Sequence, residues 1–174
     1  LVVNVDGASY TSSTSILTPT VLDSLYWKPE TPLENHGFSW ATLSDPEGSF
    51  DAYLWEVQRL NQLEDGSINP LTYKTFNPFF DDVFFDGLTF DFAYENPINF
   101  FDEDTDPEFR GYYAEGDTIL VSLSKLGKAE FEFFEKKYNQ IYTAGNPFAT
   151  PTNIPSNIEG GALGIWAGFS PTVD

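Results

Sequence analysis

The 174-residue chain has no cysteine and no methionine. The first absence excludes disulfides, thiol catalysis and cysteine-ligated metals. The second makes the chain read as a processed or truncated piece of a longer product. His36 is the only histidine, which rules out a two-histidine metal site within this chain. Positive charge is also scarce: 8 Lys and Arg stand against 27 Asp and Glu, for a formal net charge of −19. Such a surface repels phosphate backbones and anionic headgroups, so nucleic acid is not expected as a partner. The charge suits an extracellular or periplasmic protein or one that binds cations, and serves solubility in any case. No apolar run approaches the roughly 18 residues of a membrane span, and no signal peptide is present. Any membrane attachment is therefore expected outside this chain.

Aromatic residues make up 17% of the chain, with seventeen Phe, nine Tyr and four Trp. They can fill a sizeable core and, with the many Thr and Val, lean toward β structure. LVVNV, the Asp6-Gly7 turn signal and SYTSSTSIL read as a hairpin. Strands are expected at Val21–Trp27 and, after a Pro-rich loop over 28–37, within FSWATLS. The turn Asp45-Pro46-Glu47-Gly48 follows. Phe50–Leu60 puts Tyr53, Trp55 and Val57 on one face and reads as a strand, with helix as the alternative. Residues 61–99 read as a long ordered loop pinned by Phe side chains, with one strand where Leu88, Phe90, Phe92 and Tyr94 alternate with polar or small residues. Gly116–Leu123 is the clearest strand. From Ser124 to Tyr142, Phe131, Phe134, Tyr138 and Ile141 recur at helical spacing, which predicts an amphipathic helix ended by Gly145 and Pro147. The expected fold is mainly β (α+β): an antiparallel sandwich-like domain with one helix packed near 124–142.

The candidate sites are few. The glycines of SNIEGGALGIWAGFS are not followed by a helix and have no Lys beside them, so they do not make a phosphate loop. Read as a strand, the segment puts Leu163, Ile165, Ala167 and Phe169 on a core face. The other face holds Gly160, Ala162, Gly164, Trp166 and Gly168. Trp166 with Gly164 and Gly168 then forms either a platform for a sugar ring or partner side chain, or a close packing contact. Phe84 and Phe85, in the acidic aromatic stretch, are further candidates for a ligand or partner. Asp102, Asp104 and Asp106 alternate and can offer three oxygens to calcium, or form a solvated acidic loop. An EF-hand is excluded because Pro107 and Tyr113 stand where its Gly and bidentate Glu belong. No Ser sits in a nucleophile elbow, and His36 reads as a loop residue. Paired carboxylates for glycoside hydrolysis are the remaining catalytic option, and with so many acids proximity alone says little.

Five stretches carry a family likeness: YTSSTSILTPTVLDSLYW, SDPEGSFDAYLWEV, DDVFFDG, GDTILVSLSKLGKAEFEFFEKKYNQ and NPFATPTNIPSNIEGGALGIWAGFS. In this order and spacing the chain resembles the C-terminal part of a Bacteroidota lipoprotein family of unknown function, encoded beside TonB-dependent outer-membrane receptors. The last stretch is the most specific, although Trp166 stands where the family usually has Phe. The resemblance implies a lipid-anchored precursor on the outer-membrane surface, with the anchoring Cys outside this chain. It also implies that residues 1–17 are the trailing strands of an upstream immunoglobulin-like domain and 21–174 a C-terminal β-rich domain. A TonB-dependent receptor is the implied partner. No catalytic residue and no obligatory cofactor follow from it, so the expected function is a non-enzymatic ligand- or partner-binding accessory of transport. The alternatives are a carbohydrate-active hydrolase and a structural subunit of an envelope complex.

Overall fold

The computed structural model describes residues 1–61, 66–68, 71–100, 103–148, 150 and 152–173. The chain forms β1 (Val2–Val5), β2 (Ala8–Thr11), β3 (Ser24–Glu30), β4 (Leu33–Ser44), β5 (Ala52–Arg59), β6 (Thr72–Asp81) and β7 (Thr89–Tyr94). After these come β8 (Tyr113–Ala114), β9 (Ile119–Leu126), α1 (Lys128–Tyr142) and β10 (Pro171–Val173). All the strand pairings are antiparallel. One sheet has the order β3-β4-β7, with β8 beside β4, and the other has the order β10-β9-β5-β6. The expected β-rich α+β fold with a single packed helix is what forms.

The period of two explains the layering. Along β4, Gly37, Ser39, Ala41 and Leu43 are buried, while the residues between them are not. Along β5, Tyr53, Trp55 and Val57 face β4 and share a core with Ala41, Leu43, Val121 and Leu123. Ala52 and Leu54 point the other way, into a second core with Phe79, Leu126 and Phe131. β5 is thus covered on both faces, by a sheet and by a helix. Phe92 and Tyr94 pack on Trp55, the Tyr94 ring stacked at 5.2 Å and the Phe92 ring edge-on at 5.3 Å.

Several boundaries differ from those the sequence suggests. The helix begins at Lys128, not Ser124, because Ser124 and Leu126 pair with Leu54 and Ala52 and extend β9. Phe131, Phe134 and Tyr138 do pack on the sheet, and Phe134 stacks on Phe79 at 5.2 Å. Each such side chain contributes about 2 kcal/mol before conformational entropy is subtracted. Ile141 misses the contact and is 57% exposed. The Pro-rich segment 28–37 is not a loop but the tip of the β3–β4 hairpin. Pro29 is tolerated because β3 is an edge strand. β6 lies within the stretch expected to be loop. Leu54 pairs with Phe79 and Glu56 with Lys74, so residues between Lys74 and Phe79 bulge out of the ladder. That bulge, and Pro78 on an edge strand, erase the alternation that would have marked it.

β1 and β2 are joined through Asp6 and Gly7, both at positive φ, as a two-residue hairpin turn requires. The predicted second strand is cut to Ala8–Thr11, and beyond it the chain turns to meet the C-terminal segment. Glu159 N donates to Thr11 O at 2.8 Å, and Ser12 Oγ donates to Asn157 O at 2.9 Å. Thr14 Oγ1 donates to Glu130 Oε1 at 2.7 Å, which ties the same stretch to the helix.

Burial pushes the phenols of Tyr53, Tyr94 and Tyr113 well above their ordinary range. The hydrogen bond to Asp45 adds to the effect at Tyr53, and the charges of Asp117 and Glu95 add to it at Tyr113. A phenol that ionises less readily when folded keeps its stabilising effect below its unfolded value, near pH 10. That contribution falls as pH rises further, because the unfolded chain then releases the protons first. Alkaline titration at 295 nm is expected to show these three tyrosines ionising together with loss of the circular dichroism signal. Smooth ionisation of all nine tyrosines in a folded protein would contradict their burial.

Candidate functional site

The C-terminal segment does not form the expected strand. Residues 162–169 make no ladder, and β10 follows only at Pro171. The supposed core face is therefore not buried: Leu163 is 90% exposed and Phe169 also reaches solvent. The reason is local. Asn157 takes the place of a partner strand, accepting from Trp166 N through Oδ1 and donating to Trp166 O through Nδ2, both at 2.8 Å. One side chain thereby satisfies the backbone of an irregular segment.

The three residues singled out there part company. The Trp166 side chain is exposed at 43%. Gly164 borders an open groove of about 420 Å³ with Phe133, Lys137, Asn153 and Leu163. Gly168 serves packing: a Cβ built on it would stand 2.7 Å from Ile16 Cγ1. Phe84 and Phe85 also separate. Phe85 packs against the core, 4.0 Å from the Phe90 ring centroid, whereas Phe84 is 92% exposed. They occupy a turn closed by Phe85 N and Asp86 N, which both donate to Asp82 O.

Of the three alternating aspartates, Asp102 lies outside the described residues. Asp106 is engaged locally: it caps a short 3-10 turn, Pro107–Phe109, with Oδ1 accepting from Glu108 N at 3.0 Å. Asp104 also interacts within the structure.

A different acidic group comes together in space. Asp45, Asp51 and Asp82 are all buried, and one carboxylate oxygen from each lies within 4.8 Å of the others. They come from the turn after β4, the start of β5 and the end of β6. Lys125 forms an ion pair with Asp51 Oδ1, and Tyr53 donates to Asp45 Oδ1 at 2.6 Å. Asp51 N donates to Asp82 Oδ2 at 2.9 Å, and Gly87 N donates to Asp45 Oδ2 at 3.3 Å. The oxygens are of the type a hard cation takes, but each residue is already met by a protein donor. The arrangement ties the β4–β5 connection to the β6–β7 connection and to β9. No single sequence window contains these residues, so nothing local announces them.

A concavity of about 350 Å³ lies beside the edge strand β3. Leu25, Trp27, Tyr113 and Ile119 give it an apolar wall, with Glu115 and Asp117 at its border. Trp27 is 37% exposed and its Nε1 donates to Tyr113 O at 3.4 Å. Asp117 is occupied, pairing with Arg59 and accepting from Ala114 N. The volume is in the range of small-molecule sites, and a partly exposed indole on an apolar wall suits a sugar ring or an aliphatic side chain. The place of Trp27 on an edge strand is what exposes it.

No family model, curated protein or solved structure matches the chain. No helix among the described residues is long and apolar enough to cross a membrane.

Proposed function

We propose that the chain is the binding part of a surface lipoprotein that assists a TonB-dependent outer-membrane transporter by holding a ligand or partner, without catalysing a reaction. The observation that carries this reading is the presentation of large apolar side chains on ordered turns. Phe84, Phe148 and Leu163 are 92%, 92% and 90% exposed. Their backbones are held: Asp82 O closes the turn at Phe84, Asn146 Oδ1 accepts from Phe148 N, and Ser156 Oγ donates to Ala162 O beside Leu163. Apolar tips on fixed turns suit a protein partner. The outer-membrane surface, the lipid anchor and the transporter come from the family resemblance. So does the view of residues 1–17 as the end of an upstream immunoglobulin-like domain, and the outward Val2 and Val5, 67% and 51% exposed, suit further β structure against that hairpin.

A hydrolase needs two free carboxyls facing one bond. The groove beside Trp27 offers Glu115 and Asp117, and Asp117 is already committed to Arg59. A binding role fits that groove better.

The test is purification of the full-length tagged lipoprotein from its own envelope in mild detergent, followed by mass spectrometry. A TonB-dependent receptor in stoichiometric amount is the expected companion. Recovery alone counts against the transport role, and a large complex without a receptor favours a structural subunit. Phe84→Ser, Phe148→Ser and Leu163→Ser together are expected to abolish co-purification. Each change should alter stability by less than about 0.5 kcal/mol, as for other surface positions.

A further inference from the structure

In the sheet order β3-β4-β7, β3 pairs with β4 alone, and among the described residues no backbone bond reaches its other side. A strand so placed offers unpaired N–H and C=O groups to any further strand. Proteins guard such edges with lysine, proline and bulges. β3 carries these devices at one end: Lys28, Pro29 and a register shift between Pro29 and Glu30. The other end is unguarded. Ser24, Leu25, Tyr26 and Trp27 bring no charge, no proline and no register shift. The groove of about 350 Å³ opens beside this stretch and is lined in part by Leu25, Tyr26 and Trp27.

The walls of the groove are held in place. Leu25 and Ile119 pack against the core, and Tyr113 belongs to it. Trp27 is fixed through Nε1 to Tyr113 O, yet 37% of it stays exposed. Lys28 is turned to the opposite face, with Nζ 5.1 Å from the centroid of the Trp40 ring, and does not line the groove. The far rim is a turn closed by Asp117 N, which donates to Ala114 O at 3.1 Å. Gly116 in that turn has φ +94° and open space where a Cβ would stand, so no side chain blocks the mouth there. Asp117 is spent on Arg59 and Ala114 N, whereas Glu115 forms no ion pair among the described residues. A free strand edge, an apolar slot and a carboxylate without a cation thus lie side by side.

We propose that an extended peptide adds to β3 along Ser24–Trp27, sets one apolar side chain in the groove and places a basic side chain near Glu115. In this mode main-chain bonds supply affinity and the slot supplies specificity. Side chains two apart in a strand share a face, so the apolar and basic residues are separated by one other. The net charge of −19 steers basic segments toward the site and acidic ones away. The proposal rests on the binding role given above to this groove. It does not involve Phe84, Phe148 or Leu163, so recovery of a transporter with the full-length lipoprotein does not depend on its outcome.

The probes are end-blocked peptides Thr-Lys-Thr-X-Thr-Lys-Thr, with X as Val, Leu, Ile or Phe, and with Gly as a control of equal charge. Each is titrated into the isotope-labelled full chain at fixed ionic strength, and amide shifts and hydrogen exchange are read by NMR. With at least one apolar X, saturable shifts and slowed amide exchange are expected within Ser24–Trp27. Trp27→Ala is expected to weaken binding by roughly tenfold or more, as loss of an aromatic anchor does. N-methylation of every second peptide amide removes the donors along one edge and keeps the side chains. One of the two such patterns is expected to abolish binding and the other to spare it. Equal binding of the Gly peptide would reduce the effect to charge attraction, and binding that survives both methylation patterns would mean that no strand is added. A shift of the Trp27 indole signal with methyl glucoside, and with none of the peptides, would make the groove a sugar site. Each of these three results, or a failure of every apolar peptide to bind, overturns the proposal.

Discussion

Trp55→Ala is expected to lower stability by about 3–5 kcal/mol, the largest effect of any single truncation here. Trp55 is fully buried at the centre of β5 and meets Phe92 and Tyr94 ring to ring. Removing it opens a cavity between two sheets whose facing strands are held in register by their ladders, so collapse cannot fill it. Against a total stability of about 5–15 kcal/mol, much of the folded population is lost. Urea unfolding followed by circular dichroism reads the change. Trp55→Phe should behave very differently. The indole Nε1 is buried without a partner, so phenylalanine removes an unsatisfied donor while keeping most of the ring. The variant is expected to stay within about 1.5 kcal/mol of the parent. A loss as large as that of the alanine variant would mean that the indole N–H has an acceptor after all.

The second large effect concerns Lys125. Lys125→Met is expected to cost about 3–5 kcal/mol, because it leaves buried carboxylates without their cation. The Asp51 side chain is 3% exposed, and Asp45 and Asp82 approach it with no other ammonium paired to the group among the described residues. The remedy tests the cause. Adding Asp51→Asn to Lys125→Met removes one charge but keeps the acceptor for Ser49 Oγ, which lies 3.0 Å from Asp51 Oδ2. The double variant should be more stable than Lys125→Met alone, with a coupling of about 0.5–3 kcal/mol. Strict additivity in the thermal or urea data would show that Lys125 matters only through the packing of its alkyl stem.

What the sequence disclosed follows from how locally each feature is encoded. β5 was legible because Tyr53, Trp55 and Val57 alternate without interruption, and α1 because Phe131, Phe134 and Tyr138 repeat at helical spacing. The junction of β9 and α1 was displaced because Ser124 suits a helix start; only the pairing of Leu126 with Ala52, far away in the chain, keeps it extended. The β3–β4 hairpin and β6 were hidden by prolines that edge strands tolerate. The C-terminal segment misled in the opposite way. Its alternation is real, but Asn157 rather than a neighbouring strand satisfies its backbone. The sites were less legible than the fold. Asp45 and Asp51, Asp82, and Lys125 come from three segments far apart in sequence. Such groups become visible only when the register of the sheets is known.

The fastening of the N-terminal hairpin to the C-terminal segment bears on how the protein is made. The bonds from Thr11 to Glu159 and from Ser12 to Asn157 join residues 148 and 145 apart. A ribosome adding about 5–20 residues each second completes the receiving segment on the order of ten seconds after the hairpin itself. Until then the hairpin lacks its fastening to the C-terminal segment through Thr11 and Ser12, and a pair of strands alone is marginal in water. Closing so long a loop also places this fastening among the last contacts to form.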